Sequence, residues 1–187
     1  MQKSQRTSSG IIGVFFNVKP FITFSNGQCI HAPKFVVKNA RAIRKLHKRL
    51  SVSKSPKSIE KLERQIVHFT KHAKAKLADW HYKVAHRICR RFTVSYIPKT
   101  VPSSKFALDY DFGGFVCKLH AVSKKYDVSI VEVPDFTLVC SYCRTAYLDK
   151  IRPQDRTLSC SHCQVTFPRD LTMAQQLEHA NNILGTS

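Results

Sequence analysis

The apolar residues of this chain change period along its length, and each change marks a different kind of element. From Ile11 to Val18 they are nearly continuous and rich in β-branched and aromatic types; Pro20 interrupts them and Phe21 to Phe24 resumes the run. Ser25-Asn26-Gly27 follows, and Asn-Gly between apolar runs is the strongest short hairpin signal. Gln28 to Val37 then reads as a third strand, placed at an edge or a bulge by Pro33. Next the period lengthens. Ala40, Ile43, Leu46 and Leu50 suit a helix, and Ser51 to Pro56 is a polar break. From Ile59 the positions Leu62, Ile66, Phe69, Ala73, Leu77, Trp80, Val84 and Ile88 advance in steps of three and four. Those steps draw one stripe along a long helix, so the pair predicts a helical hairpin.

Strand and helix alternate afterwards. Thr93 to Ile97 predicts a short strand stopped by Pro98, and Val101 to Lys105 a loop. Phe112, Phe115, Val116, Leu119 and Val122 mark an amphipathic helix whose start is weakened by Gly113-Gly114. Val128 to Val133 reads as a buried strand, and Asp170 to Leu184 as a terminal helix. Residues 1–9 are polar and predict a disordered tail. The run from Ile11 is far too short to span a bilayer, so a soluble chain in a reducing compartment is expected, with no membrane partner.

Between the last strand and the terminal helix stand Cys140-Ser-Tyr-Cys143 and, after sixteen residues, Cys160-Ser-His-Cys163. Each pair lets two thiolates from one tight turn reach a single ion, and two such turns complete a tetrahedral cage suited to structural Zn²⁺. Two disulfides are the competing reading. Three further cysteines (Cys29, Cys89, Cys117) make the total odd, and no secretory signal is present, both of which count against it. Cys89 and Cys117 fall on helices and read as small buried residues. His68 and His72 read as a polar surface pair, and Trp80, on the stripe, as core.

Charge changes the picture more than composition does. The formal charge is +19, from 31 Lys and Arg against 12 acids, and the segment Lys34 to Arg91 carries +15 of it. Such an imbalance needs a polyanion, and nucleic acid is the usual one. The candidate contacts are Arg41, Arg44, Lys45, Lys48, Arg49, Lys54, Lys57, Lys61, Arg64, Lys71, Lys74, Arg87, Arg90 and Arg91.

Three antiparallel strands followed by alternating helix and strand is the order of an α/β, RNase H-like fold. The order and motifs together resemble the C-terminal half of TnpB (OrfB) proteins of bacterial insertion sequences, RNA-guided nucleases related to the type V CRISPR effectors. The likeness covers roughly residues 11–178. It rests on the two cysteine pairs followed by Pro168-Arg169-Asp170-Leu171-Thr172-Met173-Ala174, where the family has Asp-Arg-Asp-x-Asn-Ala-Ala. It also rests on Gly113-Gly114-Phe115, Leu119 and Tyr126-Asp127-Val128, and on the basic helix pair. The resemblance implies a RuvC-like mixed sheet at residues 10–135 that includes the basic pair 38–91. A zinc ribbon would occupy 136–167, and 168–187 would return as a helix.

The departures bear on activity. A RuvC site holds two Mg²⁺ ions between three or four carboxylates. Here Phe15 stands at the place of the first, Asn17 at that of a nearby glycine, and Ile97 or Pro98 at that of the second; no acid occurs from Met1 through Ile59. Asp170 alone matches. One carboxylate cannot hold two ions, so Mg²⁺ is not expected. Asp109, Asp111, Glu132 and Asp135 are the acids that could substitute. Arg144 and Gln164 replace the family's glycines after each cysteine pair, where the turn favours positive φ, and Thr172 replaces its Asn. The expected function is nuclease-inactive nucleic-acid binding, with RNA, DNA or both, in a bacterial cytoplasm and in possible association with the nucleoid. The family's N-terminal half would be either lost or supplied by a separate protein. A residual Asp170-dependent nuclease, a structural module of a ribonucleoprotein and an insertion-sequence remnant stay open.

Overall fold

The computed structural model describes residues 10–102, 107–134, 137–147, 151–152 and 155–180. The expected tail at 1–9, most of the loop before Lys105 and the end of the terminal helix lie outside the described residues.

The first apolar run forms β1 (Ile11–Phe16), which pairs antiparallel with β2 (Ile22–Phe24), and β2 pairs with β3 (Cys29–Ile30). The long helical stripe then carries the chain back, so the next strands run parallel to β1. These are β4 (Val94–Pro98) beside β1 and β5 (Ser129–Val133) beside β4. The five-stranded sheet has the order β3-β2-β1-β4-β5, the mixed sheet of the expected RNase H-like class. Among the described residues no helix is long and apolar enough to cross a membrane.

The third strand is shorter than the sequence predicts. Only Cys29–Ile30 pairs, and α1 (Lys34–Val52) begins directly after Pro33. Pro33 supplies the extended residue ahead of the first turn. Val36 is buried, and Phe35, Ala40 and Ile43 line the groove between α1 and the helix that follows. Tertiary packing thus overrides the strand preference of Val36-Val37. α2 (Pro56–Arg91) is a continuous helix of 36 residues, roughly 54 Å long at the usual rise. Its near half buries Leu62 and Ile66 against α1; its far half buries His81, Val84, Ala85, Ile88 and Cys89 against the sheet.

α3 (Phe112–Tyr126) lies beside α2 on the same sheet face. Its Gly113-Gly114 start lowers helix propensity, but Gly114 has a purpose. Asp111, in a left-handed conformation at φ 46°, accepts a hydrogen bond from the Gly114 amide at 3.1 Å. A β-carbon on Gly114 would sit 2.1 Å from that carboxylate. Phe21 anchors this face: its ring stacks on Phe112 at 4.8 Å and meets Trp80 edge-on at 4.8 Å. Its full burial contributes roughly 2–3 kcal/mol.

The opposite face is covered by α4 (Arg169–Glu178). Gly13 makes this possible, because a β-carbon there would stand 1.8 Å from the Ala174 carbonyl oxygen. Leu177 and Ala180 pack against Tyr96 and Val133, with Phe15, Val94 and Val131 around them. A separate apolar cluster (Leu138, Leu158, Phe167) surrounds the cysteines.

Candidate functional site

The two cysteine pairs fold into matching turns. The Arg144 amide donates to the Cys140 carbonyl at 3.1 Å, and the Cys140 amide to the Thr145 carbonyl at 2.9 Å. The second turn repeats this, with Gln164 to Cys160 and Cys160 to Val165, both at 2.9 Å. Each turn closes through a left-handed residue, Arg144 at φ 61° and Gln164 at φ 58°. These are the positions where glycine would be unstrained. The hairpin of β6 (Thr157–Ser159) and β7 (Thr166–Pro168) carries the second turn, and a Val139–Ala146 bridge supports the first.

The four sulfurs converge, all lying within 4.8 Å of one another. Cys140 and Cys163 are 3.7 Å apart at sulfur, and Cys143 and Cys160 are 3.6 Å apart. Zn–S bonds of about 2.3 Å in a tetrahedron place the sulfurs about 3.8 Å apart, so the set fits such an ion. Hydrogen bonding from the Thr145 hydroxyl and backbone favours the Cys143 thiolate, lowering its pKa to about 5. The protons of the set fall unevenly: despite the Val165 amide, desolvation and the neighbouring sulfurs push the Cys163 thiol up to about 12, and metal binding would have to displace its proton.

Asp170, in the first turn of α4, has both carboxylate oxygens engaged. Oδ1 accepts from Nε of Arg169 at 2.7 Å and lies 2.7 Å from its Nη2. Oδ2 accepts from the Asn17 amide at 2.8 Å and from Nη1 of Arg156 at 3.0 Å. Arg169 is buried, its side chain 8% exposed, and also donates to the Arg152 carbonyl at 3.0 Å. The cluster ties the end of β1 to the hairpin and to α4.

Phe15 lies on the α4 side of the sheet, packed against the Tyr96–Leu177 cluster. Gly13 is level with Tyr96 in the parallel register, so extending it sets Phe15 beside Pro98. Ile97 is fully buried in the core on the other face. Of the two residues the sequence offers for the second position, Pro98 therefore stands on the Asp170 side, and Ile97 is turned away by strand alternation.

The other acids have separate engagements. Both Asp109 oxygens accept from Nη1 of Arg44 at 2.9 Å. Asp111 caps α3, and Glu132 meets Nε2 of His120 at 2.8 Å. Asp135 lies outside the described residues. Among the described residues, the cysteines form the one group of three or more His, Cys, Asp or Glu side chains close enough to share a metal. Guanidinium and amide donors occupy both oxygens of Asp170.

Every basic residue nominated from sequence is exposed. The structure distributes them. Arg49 and Lys61 flank the α1–α2 turn, Arg44 and Lys74 line the groove between α1 and α2, and Arg87, Arg90 and Arg91 gather at the end of α2. Arg64 pairs with Glu60 one turn earlier. Lys83 and Lys125 join the last group; the sequence signal for Lys83 is its place one turn before Arg87.

Sequence reasoning passes over His81. It is fully buried, its Nε2 3.1 Å from the Tyr110 carbonyl, and burial pushes its pKa down to about 4. Cys89 is buried as expected, and burial raises its pKa to about 11. Cys117 is exposed rather than buried, being on the solvent side of α3.

No protein-family model matches the sequence, and no curated protein does. A solved structure shares the architecture. Among the described residues, the five-stranded mixed sheet and four α-helices match the expected RuvC-like fold class. The chain is similar to one in the cryo-EM structure of the Cas12f1-sgRNA-target DNA complex, with 16% identity and a TM-score of 0.60. The match covers 95% of this chain and 51% of that one, so the chain spans about half of its neighbour's length.

Proposed function

We propose that this protein is a TnpB-like nucleic-acid-binding protein that holds its target without cutting it, with a structural Zn²⁺ in the four-cysteine ribbon at 136–167. The carrying observation is the engagement of Asp170 by Arg156, Arg169 and Asn17, with Phe15 on the same face. A carboxylate whose two oxygens each accept from an arginine serves as a structural anchor, and two-metal phosphodiester cleavage requires several free carboxylates. The likeness to a chain bound to guide RNA and target DNA supports nucleic acid as the ligand. So does the exposed positive charge of α1 and α2. The ribbon and α4 stand beside the sheet face that carries Phe15 and Asp170, and the basic helices supply phosphate contacts. A second protein providing a further RNA grip belongs to the same proposal.

The test pairs binding with cleavage. Labelled RNA and DNA are titrated at several salt concentrations, then incubated with Mg²⁺ or Mn²⁺. Binding is expected to weaken with a log–log salt slope of about −0.7 to −0.9 per neutralised phosphate, with no cleavage. Metal-dependent cleavage abolished by Asp170→Ala would replace this reading with that of a residual nuclease. Absence of any binding would favour a structural module.

A further inference from the structure

We propose that the cleft between the C-terminal ends of α2 and α3, walled by Lys83, Arg87, Arg91 and Lys125, is a phosphodiester-binding site that seats the backbone of one nucleic-acid strand. The inference deepens the nucleic-acid reading above and rests on it.

Three observations set this cleft apart from the general charge of the hairpin. The first is convergence. α2 and α3 each precede one of two neighbouring parallel strands, β4 and β5, so their C-termini emerge at the same end of the sheet. Their basic last turns therefore meet: Arg90 and Arg91 end α2, and Lys124 and Lys125 end α3. Between them opens a cavity of about 510 Å³ lined by Lys83, His86, Arg87, Arg90, Arg91, Lys125 and Tyr126, with no carboxylate in the lining. Two helix C-termini each contribute a partial negative charge of roughly half a unit, far less than the cations they face.

The second is uncompensated charge. Lys83 pairs with Asp79 at 2.8 Å, but no described carboxylate pairs with Arg87, Arg91 or Lys125. Arg44 and Arg64 hold acids, whereas no described carboxylate pairs with Lys45 or Lys48 on α1, so what marks the cleft is unpaired charge from two helices gathered around one cavity. Like charges collected without partners repel, and a bound polyanion relieves that repulsion.

The third is a fixed floor. The Tyr126 hydroxyl accepts from Nε of Arg90 at 3.1 Å and meets Nδ1 of His86 at 3.0 Å. The Arg90 guanidinium lies over the Tyr126 ring at 6.0 Å, and the His86 ring stands edge-on to it at 5.5 Å. Ordering in advance reduces the entropy lost on binding. The pKa of His86 is lowered by its burial and by Lys125 and Arg90, so the imidazole senses the field of the cleft. An anion seated there reverses that field.

The experiment uses the full zinc-loaded chain and two probes, a single-stranded RNA and a DNA duplex, measured by fluorescence anisotropy across salt. The cleft variant is Arg87→Gln with Lys125→Gln; a charge-matched comparison is Lys45→Gln with Lys48→Gln on α1. The cleft pair is expected to lower affinity on the order of tenfold and to reduce the salt slope by nearly two, with the comparison pair losing clearly less. The probe that suffers the loss identifies the strand as RNA or DNA. In parallel, His86 followed by NMR is expected to titrate at higher pH once the probe is bound. Equal losses from both pairs, or an unmoved His86, would overturn the cleft while leaving the general reading intact. A wild-type protein that binds neither probe would overturn both. All four side chains are exposed, so the variants are expected to fold; circular dichroism and zinc content check this directly.

Discussion

Asp170→Asn separates a structural carboxylate from a catalytic one. The substitution keeps the shape and one acceptor but removes the charge facing two guanidiniums. Arg169 cannot turn to water, because its side chain is 8% exposed; Arg156, at 44%, can. Breaking a buried ion pair by removing one partner costs about 3–5 kcal/mol, whereas exposed pairs contribute about 0–1 kcal/mol. The Arg169 contact sets the scale and the Arg156 contact adds little, so a loss of about 3 kcal/mol is expected. That is a large share of a typical domain stability of about 5–15 kcal/mol. Urea unfolding followed by circular dichroism measures it, and the midpoint should fall with little change in slope. A double-mutant cycle with Arg169→Gln should return a coupling of about 1–3 kcal/mol. A loss below about 0.5 kcal/mol, with no coupling, would refute the anchoring role; that is the size expected of a surface substitution.

Three further outcomes are expected. Chelation of zinc under reducing conditions should unfold the cysteine hairpin, seen as new proteolytic cleavage within 137–168, while the sheet survives; a resistant hairpin would count against a metal-dependent ribbon. Arg144→Gly and Gln164→Gly should each stabilise the metal-bound form by about 0.5–1 kcal/mol in thermal unfolding, because both positions hold left-handed backbone at φ near 60°. His81 has a folded pKa near 4 against an ordinary value of 6.5, so protons bind preferentially to the unfolded chain. Its stability is intact above about pH 6.5 and declines as pH falls toward 4, by on the order of 3 kcal/mol. His81→Phe, which keeps an aromatic ring against Phe21, should flatten that profile.

The periodicity of the sequence locates the helices well because their stripes are long and repeat many times. Leu62 through Ile88 spans seven such steps and becomes one continuous α2. Short elements are less legible. Gln28 to Val37 has strand-like residues, yet only two of them pair, because Val36 finds its partners across a helix–helix contact. The cysteine cage is legible since its information is wholly in local spacing. The surroundings of Asp170 are not: Asn17 is 153 residues away in the chain, and the arginines acquire meaning only once the hairpin folds onto α4. The cationic cleft is likewise invisible in one dimension, because Arg87 and Lys125 meet through the parallel pairing of β4 with β5.

Gly13 links these parts physically. It is the mid-strand residue of β1 over which the Ala174 carbonyl passes, and any side chain there would push α4 off the sheet. α4 carries Asp170 at its first turn and, through the 2.8 Å bond from Gln176 to the Val139 carbonyl, holds the first cysteine turn. Lifting the helix would therefore break the Asn17–Asp170 bond and loosen the ribbon together. Gly13→Ala sets a backbone clash that no rotamer can relieve, so a loss at or above the usual 1–3 kcal/mol of overpacking is expected. Zinc retention should fall with it, although residue 13 is no ligand. Loss of stability with unchanged zinc affinity would mean that the ribbon holds its metal independently of the sheet. The surface that presents nucleic acid would then be two separable units rather than one.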